Sequence, residues 1–128
     1  MGLLNQLKLE ALAEAITHYS GYQEPGSALW QARNPLGLKA YSPLHKHDNS
    51  GNRIFASLLD GLQAGIYDLS LKLSGKSKAH LLPLSTLMDL AVSYGQPAMA
   101  GDAWAKFLRK ALEDESLSRR TSLAYFAE

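Results

Sequence analysis

The stretch EAITHYSGYQEPGSALWQARNPLGLK, Glu14–Lys39, determines how the rest of the chain is interpreted. It leaves an amphipathic helix at Gly21, crosses a Pro25-Gly26 turn and reaches an Arg-Asn-Pro turn that ends at Gly37. Glycine accepts the left-handed backbone conformation that ends many helices, and Pro-Gly and Asn-Pro pairs are typical of turns. The stretch therefore predicts a helix that ends near residue 20, followed by a loop with two turns.

Hydrophobic periodicity outside this loop indicates helices. The first is predicted from Leu3 to Ser20, and its apolar face is formed by Leu4, Leu7, Ala11, Ala15 and Tyr19 and widened by Leu12 and Ile16. A second begins at a Ser57 cap and ends at Ser74-Gly75, with an apolar face of Leu58, Leu62, Ile66, Leu69 and Leu73. Gly61 and Gly65 lie four residues apart on that helix, a spacing that permits close packing against a neighbouring segment.

Two further helices follow in the second half of the chain. One is capped by Ser85 or Thr86 and ends at Gly95, and the next begins near Asp102 with a strong apolar face. The residues after it are expected to form a terminal helix from Ser116. Between the first two long helices, 38–42 and 52–56 flank a polar, glycine-containing segment, which indicates a short β-hairpin or a long surface loop.

These elements predict a mainly α domain of four to five helices with at most a short β-hairpin. The length of 128 residues is that of one domain. We divide it into a helical domain, residues 1–112, and a C-terminal helical tail or extension, residues 113–128.

Composition excludes several classes of function. The chain has no cysteine, so disulfides, zinc–thiolate sites and cysteine nucleophiles are absent. A net charge of +1 gives no reason to expect a nucleic acid or an anionic membrane as partner. No apolar run is long enough to span a bilayer, and the first residues do not have the features of a secretory signal. We expect a chain that is cytoplasmic as synthesised and that needs no cofactor.

Three strings in the opening stretch carry a resemblance: A-I-T-H-Y-S-G, P-G-S and A-R-N-P-L-G-L-K. They resemble small lysozyme-like, phage-associated peptidoglycan hydrolases, whose pattern is roughly A-I-x-x-x-E-G, then P-G, then a run ending in N-P-G. The similarity continues through F-A-S-L-L-D-G-L-Q-A-G, S-T-L-M-D-L-A-V-S-Y-G and A-W-A-K-F-L, and covers about Ala13 to Leu112. It implies a lysozyme-like fold, peptidoglycan or a related glycan as ligand, and a setting associated with phage or a phage-derived particle.

The resemblance puts the family's catalytic glutamate at Ser20. Glycosidic cleavage needs a carboxylic acid with a raised pKa to protonate the leaving oxygen, and a serine hydroxyl is not such an acid near neutral pH. Leu36 also separates Pro35 from the glycine that the pattern has directly after proline. Glu24, in the loop before Pro25, is the one nearby carboxylate that could substitute, although a solvated loop residue is its more common role.

Several other residues are candidates for ligand binding. The aromatic side chains of Trp30, Tyr41 and Tyr94 are predicted to stack on sugar rings, with core packing as the alternative for each, and Asn34 is predicted to line the groove. His45, His47 and Asp48 lack a convincing further ligand, so no metal is expected. The basic cluster Lys72, Lys76, Lys78 and His80 would either meet peptidoglycan carboxylates or form a solvated loop.

Three functions remain open from the sequence. The first is a degenerate lysozyme-like module that binds glycan with little or no catalysis. The second is an active peptidoglycan glycoside hydrolase or lytic transglycosylase that uses Glu24 or another acid. The third is a helical protein-interaction module that binds a partner, or a second copy of itself, through its C-terminal tail.

Overall fold

The structure is a computed structural model that describes residues 4–40, 42–76, 81–82 and 84–127. The described part is mainly helical, which confirms the predicted fold class. Its elements are α1 (Gln6–Tyr19), α2 (Ala28–Gln31), α3 (Leu58–Leu73), α4 (Leu87–Ser93), α5 (Ala100–Ala111) and a 3₁₀ helix (Leu123–Phe126). None of the helices in this part of the chain is long and apolar enough to cross a membrane.

Helix α1 lies at the centre of the fold, packed against α3 and α5. Asn5 caps it by accepting a hydrogen bond from the backbone N–H of Lys8, and Gly21 with φ +88° follows its end. The predicted face is buried at Ala11, Leu12, Ala15 and Ile16. It differs at Leu7, which is 70% exposed, and at Leu9, which is buried. Small alanines on the same side let neighbouring helices approach closely. The predicted start at Leu3 lies outside the described residues.

Helix α3 buries the predicted face in its second half, at Leu69 and Leu73, and a different face in its first half. Leu58 and Leu62 are partly exposed, whereas Gly61 and Gly65 are buried with Leu69 and Leu73. A side chain added at Gly61 would overlap the carbonyl oxygen of Arg33, and one at Gly65 would lie 2.9 Å from Leu36 Cδ1. The two glycines therefore bring α3 into direct contact with the turn of residues 33–37, as their spacing predicted.

Helices α4 and α5 pack against each other, and α5 also packs against α1. Thr86 and Asp89 form a capping box at the start of α4, and Gly95 follows its end with φ +76°. Helix α5 begins two residues before the predicted Asp102 and packs on α1 and α4. Its buried face includes Trp104, which places a large aromatic ring at the junction of the three helices.

The C-terminal tail has turns and one 3₁₀ helix in place of the helix expected from Ser116. Its apolar side chains Leu117, Leu123 and Phe126 are buried in the same core as the preceding helices. The backbone of the tail is fixed as well: Leu123 N–H donates to Ser85 O at 2.7 Å, and Asn5 N–H donates to Phe126 O at 2.8 Å. Anchors spaced six and three residues apart do not fit one helical face, so the tail follows the core surface instead.

The short β element consists of isolated antiparallel bridges within residues 38–54, which we call the 38–54 segment. Lys39 pairs with Asn52, and His47 pairs with Arg53. Arg53 N–H donates to Leu38 O at 2.9 Å. The predicted hairpin is thus present as a few paired residues within the chain. It covers one side of the site described next.

Candidate functional site

Two adjoining cavities form a groove across one side of the molecule. The narrow cavity, of about 250 Å³, lies between the end of α1, α2 and the start of α5. The wide cavity, of about 700 Å³, lies between the 38–54 segment, α3 and the end of α4. Both are lined by Gly37, Lys39, Tyr94 and Gly95, so the two cavities lie next to each other.

Ser20 lines the narrow cavity, beside the apolar side chains of Ile16, Leu36 and Trp104. Its Oγ lies 2.9 Å from the carbonyl oxygen of Pro35 and 3.0 Å from that of Thr17. The backbone N–H of Tyr22 donates to the same oxygen at 3.1 Å. A hydroxyl has one proton, which it gives to one of the two carbonyls at a time. Ser20 therefore fastens the end of α1 to the Pro35 turn.

Glu24 lies in the loop after α1 and is exposed. Its backbone N–H donates to Gly21 O at 3.2 Å, and its own carbonyl accepts from Ser27 N–H at 3.0 Å, so its main chain shapes the turn. The side chain is not among those that line the groove. Asp68, in the wide cavity, is the one carboxylate that the described groove residues contribute.

Asn34 is fully buried beneath the groove. Its Nδ2 donates to the carbonyls of Leu38 at 2.8 Å and Arg53 at 2.9 Å, and its Oδ1 accepts from Leu38 N–H at 2.9 Å. Both amide protons are thus used within the protein. Asn34 shapes the site by joining the turn to the 38–54 segment, and no part of its side chain faces the groove.

Replacing Asn34 by leucine is expected to lower the free energy of unfolding by about 3 kcal/mol, because buried backbone groups that lose their partners cost about 1–3 kcal/mol each. Urea unfolding measures the change. Asn49→Leu, at an exposed position of the 38–54 segment, is the matched control and should stay near the wild type. A loss below about 1 kcal/mol for Asn34→Leu would show that water or side-chain rearrangement replaces the lost bonds.

The floor of the wide cavity contains a compact polar cluster. Lys72 Nζ lies 2.7 Å from Asp68 Oδ2 and 3.5 Å from the centre of the Tyr94 ring. Lys72 is 8% exposed, and Tyr94 is exposed to the same small extent. Burial, with the negative charge of Asp68, raises the pKa of Tyr94 well above its usual value of 10.0. Because Lys72 contacts both Asp68 and the Tyr94 ring, the ion pair on α3 is linked to the end of α4.

Lys72 does not form a loop cluster with the lysines after it. It belongs to the last turn of α3 and is paired with Asp68. Lys76 is exposed, and Lys78 and His80 lie outside the described residues. Of the described members of that cluster, Lys72 lines the wide cavity and Lys76 does not.

Replacing Tyr94 by phenylalanine is expected to flatten the alkaline part of the stability profile. Tyrosine in the unfolded chain ionises near pH 10, whereas the folded pKa of Tyr94 is higher. The stability tied to this hydroxyl is therefore complete below about pH 10 and falls as the pH rises above it, by up to about 1.4 kcal/mol per pH unit. Urea unfolding between about pH 9 and pH 11 measures the slope. The same slope in wild type and Tyr94→Phe would contradict the assignment, and Tyr67→Phe serves as control.

The aromatic candidates fall in different places. Tyr94 lines both cavities, Trp30 is 48% exposed on α2 outside the lining of the groove, and Tyr41 lies outside the described residues. Sequence reasoning did not identify Tyr67, which is 65% exposed on α3 and lines the wide cavity. Nothing in the helical pattern distinguishes a solvent-facing tyrosine from one at the rim of a groove.

The His45–Asp48 segment has a structural role at its acidic end. The Asp48 carboxylate accepts hydrogen bonds from the Asn52 side chain at 3.0 Å and from the backbone N–H groups of Ser50 and Asn52 at 2.9 Å. Chiefly because of the Asn52 side chain, the pKa of Asp48 is lowered. No group of three histidines or carboxylates in the described part of the chain is arranged to hold a metal ion.

Comparisons with known proteins give no relative: no family model, no curated protein and no solved structure matches the chain. The function proposed below is therefore argued from the groove and from the motif resemblance.

Proposed function

We propose that the protein is a degenerate lysozyme-like domain that binds peptidoglycan or a related glycan in the groove without cleaving it. The observation that supports this most directly is the position of Ser20. The side chain that stands where the motif has its catalytic glutamate lies inside a groove, at the end of α1, and its hydroxyl is bonded to the main chain.

The other carboxylates are poorly placed to supply the missing acid. Glu24 is exposed in the turn after α1, outside the groove lining. Asp68 lies in the wide cavity and is held by Lys72 at 2.7 Å. A positioned general acid contributes about 10²–10⁴-fold in rate. A groove in which no carboxylate takes that position is suited to binding, which disfavours the active-hydrolase reading based on Glu24.

The chemistry of the groove is suited to a sugar chain. Tyr67 offers an exposed ring at one side of the wide cavity, and aromatic faces present a flat apolar surface to a bound ligand. Lys39 and Gln96 line the narrow cavity with polar groups. A sugar ring has apolar faces and hydroxyl edges, so it can use both kinds of contact.

The structure gives less support to partner docking through the tail. Leu117, Leu123 and Phe126, the apolar residues that would form such a surface, are buried in the protein's own core. A partner would have to displace them, at a cost of about 1.5–3 kcal/mol for each large side chain exposed.

The two aromatic residues Tyr67 and Trp30 provide a test of which surface binds. Tyr67→Ala is expected to weaken binding of soluble peptidoglycan glycan strands about tenfold, a loss of about 1.4 kcal/mol that is typical of one aromatic contact. Trp30→Ala is the matched control and should leave the affinity unchanged, although its ring is also exposed. Isothermal titration calorimetry measures both. The opposite ranking would place the glycan on α2 and contradict the groove.

A further inference from the structure

We propose that the wide cavity is a carboxylate subsite, in which Lys39 and Arg53 bind an acidic group carried by the glycan. This inference rests on the proposed function and makes it more specific. It names the class of ligand, an acidic oligosaccharide or glycopeptide, and two residues that would select it over a neutral sugar chain.

The wide cavity is lined by more cationic than anionic side chains. Three cationic side chains, Lys39, Arg53 and Lys72, line it together with the single carboxylate of Asp68. Asp68 neutralises Lys72 at 2.7 Å. Lys39 Nζ donates to the neutral Asn52 Oδ1 at 2.7 Å, and no ion pair involves Lys39 or Arg53 within the described residues. The Asp48 carboxylate accepts from the same Asn52 side chain at 3.0 Å and interacts with Lys39, so it offsets part of the Lys39 charge. A net positive charge, chiefly that of Arg53, is left for a ligand.

The surrounding fold holds both Lys39 and Arg53 in place. Lys39 and Asn52 form a bridge pair, and Arg53 follows directly in the chain. The Arg53 guanidinium lies 4.8 Å from the centre of the Phe55 ring, a cation–π contact that restricts its conformations. Its carbonyl accepts from the buried Asn34 amide. Since the chain is fixed at both positions, binding an anion costs less ordering of side chains.

The aromatic ring of Tyr67 lines the same cavity as the two cations. Arginine forms paired hydrogen bonds to a carboxylate, whereas Tyr67, at the opposite side of the same cavity, offers a face to a sugar ring. A ligand that satisfies both has its acidic group close to a sugar. In peptidoglycan that group is either the lactyl carboxylate on the sugar or a carboxylate of the attached peptide, and the two sources can be separated by experiment.

The test measures the affinity of the full chain by isothermal titration calorimetry for three ligands of equal sugar length. These are a neutral chitin oligosaccharide, peptide-free glycan strands with lactyl carboxylates, and the same strands with their peptides. We expect at least one acidic ligand to bind about tenfold or more tightly than the neutral one, because hydrogen bonds between charged groups are stronger than those to neutral groups. A gain already present without peptides identifies the lactyl group, and a gain only with peptides identifies the peptide.

Variants assign that preference to the two cations. Lys39→Gln/Arg53→Gln should bind all three ligands with the affinity of the neutral one, whereas Lys106→Gln/Arg120→Gln, which removes the same charge at exposed positions outside the groove, should retain the preference. Equal loss in both double variants, or equal wild-type affinity for neutral and acidic ligands, would overturn the carboxylate subsite and leave glycan binding intact. No binding of any ligand would overturn the proposed function as well. The wild-type ligand series decides the matter even if a variant is unstable.

Discussion

Ser20→Glu is expected to give the protein a measurable peptidoglycan-cleaving activity, at least about 100-fold above the wild-type background, because a positioned general acid contributes about 10²–10⁴-fold. The substituted carboxyl would lie beside Ile16, Leu36 and Trp104 in the narrow cavity. Apolar surroundings of this kind raise a carboxyl pKa and keep it protonated near neutral pH. Release of soluble fragments from purified peptidoglycan measures the gain.

Ser20→Gln is the matched control, since it has nearly the same shape and no acidic proton. It should remain inactive, and both variants should lose about 1 kcal/mol of stability because the bond from Ser20 Oγ to Pro35 O is removed. If Ser20→Glu binds glycan as the wild type does yet stays as inactive as Ser20→Gln, the groove does not direct position 20 at a scissile bond. The lysozyme-like register would then be wrong.

Gly61→Ala is expected to lower the free energy of unfolding by about 3 kcal/mol, with a matching fall in the urea midpoint. An added Cβ would overlap the carbonyl oxygen of Arg33 and lie 3.2 Å from Pro35 Cδ. A backbone oxygen cannot rotate away as a side chain can, so α3 must shift from the turn that holds Asn34. The sign of this change in the free energy of unfolding is informative, because a glycine-to-alanine substitution inside a helix otherwise stabilises by about 0.5–1 kcal/mol.

Two controls make this result specific. Gly65→Ala meets the side chain of Leu36, at 2.9 Å from Cδ1 and 3.1 Å from Cβ, and no backbone oxygen, so it should cost less than Gly61→Ala. Gln63→Ala, at an exposed position on the same helix, should be neutral or slightly stabilising. A Gly61→Ala variant as stable as the wild type would show that α3 does not pack on the 33–37 turn.

The elements with strong local signals were predicted from the sequence. The end of α1 at Gly21, the length of α3 between Ser57 and Ser74, and the cap of α4 all depend on neighbouring residues, so they can be read from a short window. The cap was predicted at Ser85 or Thr86, and Thr86 provides it. The inward face of α3 depends on tertiary contact. Its leucines predict one face, whereas the close approach of the 33–37 turn buries the glycine face.

The candidate site was predicted less completely than the helices, because it too depends on tertiary contacts. The motif resemblance pointed to Ser20, Asn34 and Tyr94, and these residues lie in or under the groove. It could not indicate that the Asn34 amide is used within the protein. Lys39, Arg53 and Tyr67 come from separate elements, and only folding brings them together. The Asp68–Lys72 pair could have been read from the sequence, because the two residues are four apart on one predicted helix, but Lys72 was grouped with the loop lysines instead.

The most direct test of the account is to incubate the wild-type protein with purified peptidoglycan and to measure both sedimentation of the protein and release of soluble fragments. The account predicts that the protein sediments with the polymer to saturation and releases no more fragments than a heat-inactivated sample. Fragment release by the wild type, abolished in Glu24→Gln, would contradict it and would make the protein an active hydrolase or lytic transglycosylase.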